Sequence, residues 1–332
     1  MSQTRFDVTA IGNAIVDIIG RCEEPYLKKI GADKGSMRLV DADAIAAIYA
    51  GMGPAVESSG GSAANTMAGV ASFGAKAGFI GKVADDEFGR IFSHDIRSIG
   101  VTFNGKPVSN SMPTSRSLIL VTPDGERTMN TYLGISTDFN AATLDRDLIR
   151  DSAILYLEGY LFDRDDAKAA FRDACDEAKR AGRKVALTLS DGFCVGRHRE
   201  EFLSFIRSGV DIVFANESEI TSLYETHDFD TAANHARRDT KLAVLTRSAK
   251  GSVIMSDGEA IQIPVDPVAQ VVDTTGAGDL YASGFLFGYS RDLGLETAGR
   301  LASLAAAEII SHVGARPETS LKALAQKRGL LV

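Results

Sequence analysis

The sequence predicts an α/β protein: a doubly wound, mostly parallel sheet with helices on both faces, plus a small β-sheet lid. Three observations predict it. From residue 150 onward, short apolar runs and amphipathic runs alternate without interruption. Residues 101–135 break that rhythm, with two alternating segments around the turn sequence Pro123-Asp124-Gly125-Glu126. The stretch from Val271 to Asp279 reads as a strand end, a tight turn carrying two glycines and the start of a helix.

Residues 6–12 read as a buried strand ending at Gly12. Residues 13–20 read as a half-exposed strand whose period of two puts Asn13, Ile15 and Asp17 on one face. A short strand is expected at 36–41 and a small helix at 42–50, begun by Asp41 or Asp43. Gly60-Gly61 reads as a hinge, and Ser62 as the N-cap of a helix to about Phe73. Asn65 stands in that helix's first turn, either as a local cap or facing whatever the glycines approach. A strand at 77–83 follows, then a helix opened by Asp85-Asp86-Glu87 and running to about Ile99. The segments 117–122 and 128–133 read as a hairpin that either joins 13–20 and 36–41 in a small lid sheet or stands as a mere edge hairpin.

Beyond residue 150, strands are expected at 153–157, 184–189, 211–214 and 242–246. The helices between them fall at about 164–181, 198–207, 217–224 and 230–238. A hairpin at 252–256 and 260–264 turns at Asp257-Gly258, and helices at 277–290, 295–312 and 319–327 finish the chain. No repeat, low-complexity tract or linker is evident. Residues 1–332 are therefore expected to form one domain, with a discontinuous β lid from about 13–41 and 101–135.

The 45% hydrophobic and 24% charged content is that of a globular protein, and the net charge of −8 argues against nucleic acid or an anionic membrane as partner. No apolar run approaches the eighteen residues of a membrane span, and Asp7 and Asp17 interrupt any signal-peptide pattern, so a cytoplasmic protein is expected. Cys22, Cys175 and Cys194 are widely spaced, and the histidines lack metal-ligand spacing, so neither a disulfide framework nor a zinc site is expected.

The chemistry centres on Asp273-Thr274-Thr275-Gly276-Ala277-Gly278-Asp279. Gly276 and Gly278 let the backbone fold closely, so that N–H groups converge at the positive end of a helix dipole, a seat for a phosphate. Asp279, in the helix's first turn, is placed to take a proton from a hydroxyl attacking that phosphate. The alternative is a plain capped turn. Asn216 and Glu219, at the end of the apolar strand 210–215, offer hard oxygen ligands suited to Mg²⁺ or simply an acidic helix N-terminus. Thr246 to Gly251 ends another strand, where a nucleotide's phosphates or ribose fit. Arg127, beside the hairpin turn, is a candidate cation for transferred phosphoryl charge. A P-loop match, Gly100 to Lys106, fails because Pro107 replaces the Mg²⁺-holding hydroxyl, and no G-x-G-x-x-G follows a strand.

Together these residues resemble the ribokinase (PfkB-type) family of carbohydrate and nucleoside kinases. The N-terminal signature is Gly60-Gly61-Ser62-Ala63-Ala64-Asn65, continued by Phe73-Gly74, Gly81-Lys82-Val83 and Asp85-Asp86-Glu87-Phe88-Gly89. The C-terminal one runs from Asp273 to Asp279, with Gly284-Phe285, and Asn216-x-x-Glu219 stands between them. The resemblance implies a ribokinase-like fold, with ATP and Mg²⁺ as cofactors. It implies Asp279 as catalytic base and the Gly276, Ala277 and Gly278 amides as anion hole. Asn216 and Glu219 would hold Mg²⁺ mostly through water, while Asp17, Gly61 and Asn65 would hold ribose hydroxyls, with Gly60 also among the substrate-binding residues. Thr246, Ser248, Gly251 and Thr275 fall in the nucleotide region, and a monovalent cation such as K⁺ near Asp273 and Thr275 is also admitted.

Within the family, Gly12 to Asp17, Tyr156 to Tyr160 and Leu187 to Asp191 look like adenosine kinase. On that likeness Asn13 joins the acceptor residues, Arg127 falls where a lid arginine nears the phosphates, and Leu133 and Phe162 become apolar walls for a base. The implied reaction is transfer of the ATP γ-phosphoryl group to the 5′-hydroxyl of a nucleoside, adenosine first. The alternatives are a sugar kinase acting on ribose or fructose and a nucleoside binder without turnover. The expected partners are small molecules only, with the chain a monomer or a homodimer paired through the lid. Ser248 where a glycine is common, Gly192 where proline is expected, Arg116 in the lid and Glu308 near the adenine depart from the pattern.

Overall fold

The computed structural model of the chain describes residues 4–332. The first strands are β1 (Phe6–Ile11), β2 (Ile15–Arg21), β3 (Met37–Leu39), β4 (Ala55–Gly60), β5 (Ala77–Ile80), β6 (Val101–Phe103), β7 (Ser115–Val121) and β8 (Arg127–Tyr132). They are followed by β9 (Ser152–Glu158), β10 (Lys184–Thr188), β11 (Ile212–Asn216), β12 (Leu242–Thr246), β13 (Ser252–Ser256) and β14 (Glu259–Ile263). Helices of the first half are α1 (Glu24–Lys29), α2 (Ala42–Ala50), α3 (Ser62–Ser72), α4 (Glu87–Ser98) and α5 (Arg146–Arg150). Those of the second half are α6 (Asp165–Arg180), α7 (Gly192–Arg207), α8 (Glu217–Leu223), α9 (Phe229–Asp239), α10 (Ala277–Ser290), α11 (Leu295–Ile309) and α12 (Leu321–Lys327).

The larger sheet runs β14-β13-β12-β11-β10-β9-β1-β5-β6. It is parallel from β6 to β12, and the β13–β14 hairpin adds an antiparallel edge. Alternation along each strand feeds two cores, one on each face of the sheet. In β1, Val8 and Ala10 join Met67 of α3, Phe285 of α10 and Leu301 of α11. Ile11 of the same strand joins Phe171 of α6, Phe202 of α7 and Ala232 of α9. The α/β expectation, with helices on both faces, is what the chain forms.

The smaller sheet runs β3-β8-β7-β2-β4. Its register decides what faces the cleft. Asp17 pairs with Ser58 on one side and Ser117 on the other, and Val121, four residues along β7, pairs with Arg127. Asp17 and Arg127 therefore share one face, while Val16, Ile18, Leu118 and Leu120 face inward, against Ile45 and Ile48 of α2.

Four expectations are corrected. Val101 to Phe103, placed with the smaller sheet by the sequence pattern, instead pairs with β5 at the edge of the larger one, where Phe103 packs against Phe79 and Phe92. Residues 55–60, not expected as a strand, form β4, because β2 supplies an antiparallel partner that no local pattern reveals. Val271 and Val272 do not end a strand; both are exposed, and the segment hangs from the end of α11 through the Val272 N–H to Ile310 O bond. The N-cap of α3 is Gly61, at φ +94°, rather than Ser62, which is the helix's first residue.

Candidate active site

The glycine turn delivers Asp279 where two helices meet. Gly276 caps α10 in the left-handed region, at φ +78°, where a Cβ would meet Ala315 at 3.0 Å. A Cβ on Gly278 would meet nothing within 4 Å, so open space lies directly over the helix's first turn. Ala277 N–H is used inside the turn, donating to Thr274 O, while Gly276 and Gly278 N–H groups make no hydrogen bond among the described residues. This is the geometry of an anion cradle.

Asp279 is gripped by α3. Ser62 Oγ donates to its Oδ1 at 2.6 Å and Asn65 Nδ2 donates to its Oδ2 at 3.2 Å. The helices come this close because Gly69 has no side chain: a Cβ there would lie 2.2 Å from Ser283 Oγ and 2.7 Å from Leu280 Cδ1 of α10. Burial pushes the Asp279 carboxyl up, and the bonds from Ser62 and Asn65 and the charge of Arg316 pull it back. Asn65 Oδ1 is buried without a partner, an acceptor left for a donor from outside the protein.

Across the cleft, the Asp17 carboxylate lies over Gly60, whose absent Cβ would sit 2.2 Å from Asp17 Oδ2. Burial raises Asp17 to about 6, opposed by Arg316 and Arg127 and reinforced by Asp279. Arg127 is buried and pairs with Asp273 Oδ2 at 2.7 Å, and its Nε and Nη2 have no hydrogen-bond partner. A buried cation with unspent donors fits a phosphoryl oxygen. Asp273 also accepts from Thr275 N–H at 3.0 Å and Gly314 N–H at 3.0 Å. A monovalent cation at Asp273 would compete with Arg127 for Oδ2.

Asn13, expected among the acceptor contacts, spends its side-chain amide on Glu158. Both Asn13 N and Nδ2 donate to Glu158 Oε1, at 3.3 and 2.7 Å, and Ala63 N donates to Oε2 at 2.9 Å. Glu158 is 1% exposed, and burial pushes it to about 7 despite these three donors. Sequence reading missed Glu158, Ser62's contact and Arg316, whose positions in the chain give no hint that they meet.

Phe162 is not a wall of the cleft. Its ring stacks on Phe202 at 4.0 Å and packs edge-on against Phe171 and Phe205 in the core beneath α6 and α7. Leu133, half-buried just past β8, stays outside that core. Arg116 turns away from the cleft-facing side, its guanidinium 4.7 Å over the Phe88 ring. Glu308 accepts from Glu318 and Thr319 N–H groups and so holds the loop after α11.

Asn216 and Glu219 form a reciprocal capping box at the start of α8. Asn216 Nδ2 donates to Glu219 Oε1 at 2.6 Å, and Glu219 N donates to Asn216 Oδ1 at 2.8 Å. Burial raises Glu219 to about 7. Among the described residues no group of three His, Cys, Asp or Glu surrounds a metal position. One carboxylate fits a Mg²⁺ that keeps most of its waters, and not a cage of protein ligands. Thr246 pairs with Asn216 across adjacent strand ends. Ser248 adopts φ +49° and Gly251 φ +80°, so the loop holds a serine where glycine would be unstrained. A cavity of about 480 Å³ opens there, lined by Asn216, Glu217, Ser218, Thr221, His227 and Ser248.

Residues 53–322 match the family described as pfkB family carbohydrate kinase. The chain is 52% identical to a solved adenosine kinase from Sinorhizobium meliloti, covering 98% of this chain and 99% of that one, with a TM-score of 0.90. It is 49% identical to a solved protein from Rhizobium etli CFN 42 named a probable sugar kinase, covering 99% and 100%, with a TM-score of 0.92. A chloroplastic protein of Arabidopsis thaliana named probable fructokinase-6 is 30% identical over 248 residues, which span 71% of this chain and 63% of that protein.

Proposed function

The chain belongs to the pfkB family of carbohydrate kinases, and from that premise we propose that it transfers the γ-phosphoryl group of ATP to the 5′-hydroxyl of a nucleoside, adenosine first, giving AMP. Kinases of this family use ATP and Mg²⁺ and act on small sugar or nucleoside acceptors. The observation that carries the reading is Asp279, held by Ser62 and Asn65 beside the open cradle of Gly276 and Gly278.

The acceptor docks between the two sheets, with Asp17 and the orphaned Asn65 Oδ1 taking its ribose hydroxyls over Gly60-Gly61. Asp279 receives the proton of the attacking hydroxyl as its oxygen bonds to phosphorus. The bond from that phosphorus to the β-phosphate bridge breaks and ADP leaves. Cradle amides and the unspent donors of Arg127 meet the charge on the transferred group. Asn216 and Glu219 would hold Mg²⁺ through water, and the ion, when bound, neutralises phosphate charge. Thr246, Ser248, Gly251 and Thr275 frame the nucleotide, and Asn13 supports the corner from behind. Asp279 and Asp17 both act ionised, so turnover falls as pH drops through their raised pKa values.

The test is Asp279→Asn, assayed for AMP formation from adenosine and ATP. We expect kcat to fall by about 10²–10⁴-fold, with the acceptor bound nearly as before. Near-normal turnover in that variant would sink the assignment.

The second reading is a sugar kinase. The withdrawal of Phe162 into the core leaves Leu133 as the one expected apolar wall, which favours an acceptor without a base.

A further inference from the structure

Arg316 is outside both family signatures, yet it touches both halves of the cleft. It stands in the loop after α11, and its half-buried side chain reaches the Gly60-Gly61 turn. Nε donates to Ser59 O at 3.0 Å, Nη2 donates to Ser59 Oγ at 2.9 Å and also to Ser59 O, and Nη1 donates to Ala64 O at 2.8 Å. Ser59 is the penultimate residue of β4, in the smaller sheet, and Ala64 is in the first turn of α3, on the larger body. One guanidinium thus bonds the chain on both sides of its glycine hinge. Ser59 is fixed in turn by Asp95 of α4, whose Oδ2 accepts from its N–H at 2.7 Å and its Oγ at 2.6 Å.

Two further contacts tie this clamp to the chemistry. Gly60, one residue past Ser59, lies directly under the Asp17 carboxylate. Ser62 and Asn65, flanking Ala64, hold the two oxygens of Asp279. The spacing between the acceptor-holding carboxylate and the base is therefore set by the geometry of residues 59–65. Resting on the kinase reading above, we propose that Arg316 is a positioning residue for phosphoryl transfer: it locks the Gly60-Gly61 hinge so that Asp17 and Asp279 face one acceptor, and it is the cation that both carboxylates share.

The charges around it are Asp17 from β2, Asp95 from α4 and Asp279 from α10, with the Arg127–Asp273 pair beyond Asp17. Glu158 lies behind α3 and also feels Asp279. The Asp279 charge raises Asp17, and the one Arg316 cation opposes the rise that burial imposes on both carboxyls. Burial lowers Arg316 to about 10, which leaves it charged there.

The experiment compares Arg316→Gln and Arg316→Lys with the unaltered enzyme, using whichever nucleoside or sugar that enzyme turns over best. In Arg316→Gln, kcat/KM for the acceptor should fall by about 10²-fold, as expected for misplacing a reacting group by about 1 Å. Acceptor KM should rise, KM for ATP should stay, and the acid limb of the pH profile should move up by about one unit, since a neighbouring cation has been lost. Arg316→Lys keeps the charge without the fork, so its acid limb should stay in place while acceptor KM rises. A merely structural arginine would reduce the folded fraction and kcat together without moving KM or the limb. A folded Arg316→Gln enzyme with unchanged acceptor KM and acid limb would overturn the proposal. If that variant does not fold, unchanged acceptor KM in Arg316→Lys overturns it instead. An unaltered enzyme silent with every acceptor would remove the kinase reading first, which is a separate failure.

Discussion

At Gly276 and Gly278, two residues apart, the absence of a side chain does different work, and substitution should separate them. Gly278 has ordinary helical backbone and empty space where a Cβ would go. We expect Gly278→Ala to keep or raise the melting temperature, since alanine in a helix is favoured by up to about 1 kcal/mol, while filling the cradle and lowering kcat. Gly276→Ala should instead destabilise, because alanine at φ +78° is strained and its methyl would press on Ala315. Thermal unfolding and ATP turnover on the two variants check this, and equal behaviour would count against the cradle. The motif from Asp273 to Asp279 was legible because its residues are contiguous. Ser62, Glu158 and Arg316 were not, because each meets the site across 95 or more residues of chain.

Helix α3 sets where Asp279, the proposed base, sits. Its first turn carries Ser62 and Asn65, and its middle touches α10 through Gly69, with Ser283 Oγ 2.2 Å and Ser283 Cβ 2.6 Å from where a Cβ would be. A valine at that crossing must push the helices apart. Gly69→Val is expected to cost about 1–3 kcal/mol of stability, as overpacking does, and to lower kcat by loosening the grip on Asp279. Chemical denaturation alongside steady-state kinetics measures both; an unchanged kcat in a destabilised variant would show that the helix crossing does not set the position of Asp279. Most elements after residue 150 follow the sequence pattern because burial and period agree there. The smaller sheet was only partly legible: β4 depends on a partner, β2, that lies outside any local window, and the three-residue β6 was read into this sheet although its partner β5 belongs to the larger one. The helix starts at Asp41 and Asp86 were readable, because a cap bonds within its own turn.

Across the described residues, four carboxyl groups are held above their ordinary values by burial: Asp17 at about 6, Glu158 and Glu219 at about 7, and Asp279. A raised folded-state pKa means that the folded chain holds its proton more tightly than the unfolded one. Their stabilising contribution is full below the unfolded value near 4.5 and is lost as pH rises through about 7. The empty protein should therefore unfold at a lower temperature at pH 8 than at pH 5.5, by about 2–4 °C for each kcal/mol lost. Turnover should rise over the same interval if, as proposed, Asp17 and Asp279 work ionised. Glu158→Gln should flatten the stability slope, though its amide donor would face donors from Asn13 or Ala63 and cost about 1–3 kcal/mol. Scanning calorimetry across this range reads both effects, and stability that climbs with pH would contradict them.

The claim that most needs a direct answer is the acceptor. ATP-to-ADP turnover with Mg²⁺, measured against adenosine, inosine, guanosine, cytidine, ribose and fructose, answers it in one experiment. The account predicts that adenosine gives the highest kcat/KM. Turnover confined to the free sugars, or no turnover with any of the six, would contradict it.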